Sequence, residues 1–219
     1  MSADTTARPG RFITLEGGEG AGKSTQARLL ADRLRSLGHE CVVTREPGGS
    51  PMAEALREVI LSGVAAPLGP SAETVLFTAA RIVHVVQTIM PALKRGAFVV
   101  CDRFTDSTRV YQGALGKVDP KLIDSMEEIA IRDCRPDLTL VLDLPAKTGL
   151  ARAAARRANE AADRFEAEGL AYHEGLREGF LAIAKAEPER CRVIDAGLAP
   201  ENVADAIWAA VQDRLGLIS

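Results

Sequence analysis

An α/β fold, a five-stranded parallel sheet with helices on both faces, is predicted for this 219-residue chain by three observations. Short β-branched runs alternate with longer stretches of helical period. Each strand run is apolar on both sides. No internal repeat and no Pro/Gly/Ser linker divides the chain. Alternation of this kind predicts parallel strands, because each right-handed crossover lays its helix back on the sheet. Two-sided apolarity agrees with strands covered above and below. A hydrophobic content of 47% with 26% charged residues suits one compact domain with a sizeable core.

Taken in order, residues 1–10 match no element and are expected to form a disordered tail, with the domain running over 11–219. Strands are predicted at "RFITLE" (11–16), "CVVTR" (41–45), "AFVVCD" (97–102), "LTLVLDL" (138–144) and "CRVIDA" (191–196). Helical patterns fall between them at about 22–37, 51–62, 71–95, 105–133, 147–186 and 200–215. The first of these places Ala27, Leu30, Ala31 and Leu34 on one face.

Lys+Arg 27 against Asp+Glu 30 gives a net charge of -3. No global basic field points to nucleic acid or an anionic membrane, so anion binding must be local. The start of the chain has no apolar h-region, and no run reaches the ~18 uninterrupted apolar residues of a membrane span. Cys41, Cys101, Cys134 and Cys191 are widely spaced with no C-x-x-C pair, which predicts buried reduced thiols and a cytoplasmic setting.

The chemistry begins at Gly17-Gly18-Glu19-Gly20-Ala21-Gly22-Lys23-Ser24, followed by Thr25, which satisfies G-x-x-x-x-G-K-[ST] directly after a strand and before a helix. Given the composition, the pattern arises by chance about 0.004 times per chain. Absent side chains let successive N–H groups point inward, and the helix start adds its positive dipole end, so a polyphosphate is held without bulk. Lys23 is expected at the β/γ-phosphates and Ser24 on Mg²⁺, which makes this a P-loop NTPase fold. Asp102 closes an apolar strand as a Walker-B carboxylate does, a second ligand for the metal. A helix N-cap, or a pair for Arg103, is the other reading of Asp102.

Arg45, Arg57, Arg81 and Arg103 each end a strand or lie on the helix after one, and so can converge on one crevice. Arginine's planar fork suits a phosphate, and a second phosphate-bearing substrate explains the surplus. A phosphomonoester is mostly dianionic at pH 7. As a nucleophile it needs cationic clamps and a metal rather than a general base.

Four motifs now resemble the thymidylate kinase (dTMP kinase) family over about residues 11–215. They are "EGGEGAGKST" (16–25), "TREPGGSPMAEALREVILSG" (44–63), "LFTAARIVHV" (76–85) with "IMPALKRG" (89–96), and "CDRFTDSTRVYQG" (101–113). The resemblance implies transfer of the γ-phosphoryl group of ATP to dTMP, with Mg²⁺, in a homodimer. It implies that Phe77 stacks on thymine and Arg81 bonds its edge, that Arg57 and Arg103 grip the acceptor phosphate, and that Glu46 and Asp102 arrange the metal, its waters and the arginines. Ser107, Thr108, Tyr111 and Gln112 would complete the acceptor site, Tyr111 by crowding the 2′ position. Phe77 as ordinary core and Arg81 as a solvated helix residue are the plainer readings.

"GLARAAARRANEAADRFEAEG" (149–169) reads as a mobile lid, about 146–168. Its Arg152 and Arg156 share one helical face with Arg157 beside them, although a solvated basic face has the same pattern. Some family members, typically eukaryotic, carry the catalytic arginine at the third variable P-loop position. Here that position is Gly20, so the resemblance assigns the role to the lid, to Arg152, Arg156 or Arg157 with Arg156 the choice, Arg152 also binding ATP and Glu19 turned toward the acceptor sugar. Ile82, Val83 and Val110 depart from the family pattern at peripheral positions. Two other functions fit the motifs less fully: a kinase for a different small acceptor, and a nucleotide-dependent switch that hydrolyses slowly without dTMP.

Overall fold

A computed structural model describes residues 10–157 and 164–217. Strand β1 (Arg11–Glu16) leads through the glycine-rich loop into α1 (Lys23–Ser36), then β2 (Cys41–Arg45) and α2 (Pro51–Leu61). Helix α3 (Pro70–His84) continues through a π-helical turn, Val85–Ile89, into α4 (Met90–Lys94). Next come β3 (Phe98–Asp102), the short α5 (Thr105–Thr108) with a π-helical extension over Arg109–Leu115, and α6 (Pro120–Ile131). The chain finishes with β4 (Leu138–Asp143), α7 (Ala146–Arg157), α8 (Leu170–Ala186), β5 (Cys191–Asp195) and α9 (Pro200–Leu215).

All five strands pair in parallel in the order β2-β3-β1-β4-β5. Their two-residue period sorts the core. Ile13, Leu15, Val100, Leu140 and Leu142 face α1 and α9, where Leu30, Leu34 and Trp208 cover them. Phe12, Val99 and Cys101 face the opposite way, under Val85, Ile89 and Ile131. Val141 meets Leu176 and Phe180 of α8 on that second side. At roughly 2 kcal/mol for each fully buried Leu, Ile, Val or Phe, both layers are needed to offset chain entropy.

The predicted helix over 105–133 is broken between Gly116 and Asp119. Lys117 takes φ 55, and the Asp119 side chain accepts the Lys121 N–H with Pro120 opening α6. The 147–186 stretch is likewise two helices, α7 and α8, with turns over 164–167 before Gly169. All four cysteines are free and buried. Among the described residues one helical stretch, Pro70–Lys94, is long and apolar enough to cross a membrane. It lies against the sheet, with Val85, Ile89 and Ala92 fully buried. Gly10 donates to Leu93 O at 3.1 Å; the rest of the predicted tail, residues 1–9, lies outside the described residues.

The register brings the carboxyl ends of β1, β2 and β3 level. Leu15 and Arg45 both pair with Asp102, Arg103 N donates to Leu15 O at 2.9 Å, and Glu46 N donates to Asp102 O at 2.9 Å. Ligands of open α/β sheets bind beyond such strand ends.

Candidate active site

The P-loop folds Lys23 back over its own backbone, with Nζ donating to Gly17 O at 3.1 Å and Gly18 O at 2.8 Å. Burial, with Arg103 nearby, lowers the Lys23 amine below its ordinary range, while Glu19 and Asp102 act the other way. Left-handed backbone at Gly20 (φ 67) and Gly22 (φ 88) turns the loop. A side chain at Gly20 would collide with the Gly149 carbonyl at the start of α7, and one at Gly149 with the Glu19 carbonyl. Only a bare pair lets the loop and the α7 helix meet.

Ser24 Oγ donates to Asp102 Oδ2 at 2.5 Å. This is the P-loop hydroxyl and Walker-B carboxylate side by side, the hard oxygen donors that suit a divalent cation completed by phosphate oxygens and water. Asp102 therefore spends its carboxylate on Ser24, and Arg103 pairs with Glu19 instead (Nη2 to Oε1, 2.5 Å). Of the two readings of Asp102, the pair with Arg103 is not the one formed.

Arg103 has φ 71, uncommon for a side-chain-bearing residue. The turn sends its guanidinium inward, where Nη1 also donates to Gly17 O (3.2 Å) and Ser107 Oγ (3.3 Å) and the charge lies 5.2 Å from the Tyr111 ring centre. Tyr111 donates its hydroxyl to Glu19 Oε1 at 3.1 Å. Burial alone would raise the Glu19 carboxyl, but Arg103, then Lys23 and the Tyr111 hydroxyl, bring it down to about 2. Burial pushes the Tyr111 hydroxyl well above its usual range.

Three carboxylates that the sequence reading left without a role hold this end together. Glu16 is fully buried at the last position of β1. It accepts from Phe104 N (2.7 Å), Ser107 Oγ (2.7 Å) and Ser107 N (3.3 Å), and burial, then Asp106, raises it to about 7. Asp106 takes both Arg190 Nη groups at 2.7 and 3.0 Å, tying α5 to the start of β5. Glu127 takes Arg109 in a two-pronged pair at 2.7 and 2.8 Å. Only the i,i+3 spacing of Asp106 and Arg109 was visible in the sequence; the other partners lie up to 91 positions apart.

Arg81 is almost fully buried, its Nε on Glu46 Oε2 at 2.7 Å and its Nη2 on Phe104 O (3.0 Å) and Thr108 Oγ1 (3.1 Å). It is thus no solvated helix residue. His84, one turn on, bonds the other Glu46 oxygen. Arg57 Nη1 donates to Pro47 O at 2.7 Å, beside the cis Glu46–Pro47 bond.

These groups line one cleft of about 350 Å³. All four arginines singled out by position, Arg45, Arg57, Arg81 and Arg103, reach it, as do Glu19, Gly20, Gly22, Lys23, Ser24, Thr25, Glu46, Phe77, Asp102, Ser107, Thr108, Tyr111 and Gln112. Gly17, Gly18 and Ala21 of the loop are not among the lining residues. With Arg28 and Arg156, the lining carries seven cations against the carboxylates of Glu19, Glu46, Asp102 and Glu166. A chain of net charge -3 has gathered its positive charge where two polyanions would meet.

The lid arginines separate. Arg156 lines the cleft and pairs with Glu166 at 3.4 Å. Arg152 is absent from the lining and donates to Ala196 O, after β5, at 2.9 Å. Phe165 enters the cleft with its ring 5.5 Å from Tyr111 and 6.2 Å from Phe77, and Arg164 pairs with the buried Glu73 of α3. The Arg157 side chain and Asp163 lie outside the described residues.

One cleft lined by a P-loop, the Ser24–Asp102 pair, several arginines and aromatic rings suits a phosphotransferase acting on a second phosphorylated substrate. The family model for thymidylate kinase matches residues 15–207. The chain is 58% identical to the thymidylate kinase of Bradyrhizobium diazoefficiens over 206 residues, 94% of this chain and 90% of that one. It is 57% identical to that of Nitrobacter winogradskyi over 94% of this chain and 89% of the other. The crystal structure of thymidylate kinase from Ehrlichia chaffeensis superposes with a TM-score of 0.74 at 34% identity, covering 93% of this chain and all of that one. The chain belongs to the thymidylate kinase family, and is a kinase of nucleotide biosynthesis. The switch reading falls with that.

Proposed function

We propose that this chain transfers the γ-phosphoryl group of ATP to dTMP, giving dTDP and ADP, with the donor on the P-loop and the acceptor among Arg57, Phe77, Arg81 and Arg103. The observation that carries the reading is the convergence of both half-sites on one cleft, Lys23 and the Ser24–Asp102 pair facing the four arginines. Ser24 and Asp102 would hold Mg²⁺, which would supply positive charge to offset the negative charge developing on the phosphates.

The remaining work belongs to the chain's own groups. P-loop amides and Lys23 hold the donor phosphates. Arg103 and Arg57 hold the acceptor phosphate, with Arg103 aimed by Glu19, Gly17 and Ser107. Phe77 and Arg81, one turn apart, take the base by stacking and by a hydrogen bond. Thr108 and Gln112 border that base, and Tyr111 closes the sugar pocket on the 2′ side. The acceptor dianion attacks without a general base, so positioning and charge neutralisation supply the acceleration. Arg156, on a lid over about 146–168, adds positive charge at the transferring group as the lid excludes water.

The same reading makes the enzyme a cytoplasmic homodimer that needs neither nucleic acid nor membrane. Val75 and Val86, about half exposed on α3 and its continuation, support a partner helix there. A coupled ADP-release assay tests the function with dTMP, dUMP, dCMP, AMP and ribothymidine monophosphate at equal concentration. ADP production that requires dTMP, with dUMP second, is expected. Faster turnover of dCMP or AMP overturns the assignment of the base-reading residues.

A further inference from the structure

We propose that His84 is a positioning residue for acceptor selection: buried behind the cleft, it fixes Glu46 so that Glu46 holds Arg81 in its base-reading orientation. The inference rests on the reading of Arg81 as the group that meets the acceptor base.

His84 is completely buried, is not itself among the residues lining the cleft, and bonds Glu46, which is. Its Nδ1 lies 3.0 Å from Glu46 Oε1, and its Nε2 lies 2.6 Å from Thr44 Oγ1. An ionised carboxylate only accepts, so Nδ1 carries the proton toward Glu46; in the neutral ring Nε2 then accepts the Thr44 hydroxyl. The two oxygens of Glu46 are thereby divided, one to His84 and one to Arg81 Nε at 2.7 Å.

Arg81 is consequently held at three points. Nε is on Glu46, and Nη2 is shared by Phe104 O and Thr108 Oγ1. Among the described residues Nη1 has no protein partner, which leaves it as the donor for a ligand in the cleft that Arg81 lines. The same imidazole seats the loop after β2. Gly49 has φ 86 and packs so closely on His84 and Thr44 that a side chain there would strike both, and Thr88 donates to Gly49 O at 2.8 Å. His84 thus locks the loop bearing Glu46 against the helix bearing Arg81, a preorganisation that a mobile guanidinium would lack.

The consequence is chemical selectivity. A guanidinium only donates, so a correctly aimed Nη1 favours a base presenting a carbonyl at that edge, as thymine does, over cytosine with its amino group. Loosening Arg81 blunts this choice, whereas general damage to the fold depresses turnover of every acceptor alike.

Three variants test the proposal, with dTMP and dCMP kinetics, ATP binding by titration and a thermal melt for each. His84→Asn keeps an N–H near the Nδ1 position; His84→Gln keeps only a group near Nε2; His84→Phe removes both. With Gln and Phe, kcat/KM for dTMP should fall about tenfold or more, chiefly through KM, and the dTMP:dCMP preference should narrow by a similar factor. Asn should restore both to within about threefold, and ATP affinity should stay within about twofold throughout. In an Arg81→Met background His84→Phe should add little, since both changes disable one unit. Unchanged dTMP:dCMP preference in the Gln and Phe variants, or equal loss for both acceptors, overturns the role of His84. If Arg81→Met itself leaves the preference unchanged, it is the base-reading assignment that fails.

Discussion

Arg103 Nη2 meets Glu19 Oε1 at 2.5 Å, and the Tyr111 hydroxyl donates to the same oxygen at 3.1 Å. The pair spans the seam between the P-loop and the segment after β3, so the carboxylate that orients the Arg103 guanidinium grows from the glycine-rich loop. Glu19 is thus turned toward Arg103 and Tyr111 although it belongs to the P-loop motif.

Replacing Arg103 with Met should therefore damage one half-site and spare the other. We expect kcat/KM for dTMP to fall about 100-fold or more, in line with removal of a charged clamp on the attacking phosphate, while ATP affinity stays within about threefold. Steady-state kinetics with a separate ATP titration check this. Equal loss of both nucleotides would contradict the assignment.

Asp102→Asn should act on metal dependence. The amide keeps the size of the side chain and still pairs with Ser24, but gives up the negative charge that draws a hard cation. The Mg²⁺ concentration for half-maximal activity should rise about tenfold or more, with dTMP affinity measured without metal nearly unchanged. An unaltered Mg²⁺ curve would remove Asp102 from the metal site.

The two lid arginines should give different kinetic signatures. Arg156→Met, taking a cation from the cleft lining, is expected to lower kcat by about 100-fold with little change in either KM. Arg152→Met, whose guanidinium bonds Ala196 O beyond β5, should raise the KM for ATP and leave kcat within a few-fold. Reversed signatures would exchange their roles.

Much of this was legible in the sequence because the signals are local. Every strand was placed within a residue or two from its β-branched run, and the P-loop, Asp102 and the Phe77/Arg81 spacing rest on neighbours in the chain. What escaped reading depends on distant partners. Glu16 gave no sign that its oxygens would take up Phe104 and Ser107, nor His84 that it would find Thr44 and Glu46. A buried polar residue is chosen by its partner, and the partner is known only once the strands are in register. The break at 116–119 was readable after all, since Asp119-Pro120 is an N-cap followed by an N1 proline; a run of apolar periodicity on either side hid it.

Glu16 carries a pH prediction. Burial, then Asp106, lifts its folded carboxyl to about 7 from an ordinary 4.5. Between those values the folded chain keeps a proton that the unfolded chain has released, so this group's contribution falls as pH rises through that window. Glu16→Gln should flatten the dependence of melting temperature on pH between about 5 and 8, and its advantage over the parent should grow toward pH 8. Parallel profiles for the two proteins would show that Glu16 does not titrate there.

The contact of Gly20 with Gly149 bears on how such enzymes diverge. The Gly20 position of the loop is pressed against the first turn of α7, with no room for even a methyl group. An ancestor could not gain a side chain there by one codon change and keep this contact; α7 would first have to back away. Loop and helix are therefore coupled by sterics at this point, and any lineage or engineer adding a side chain at position 20 must alter both together.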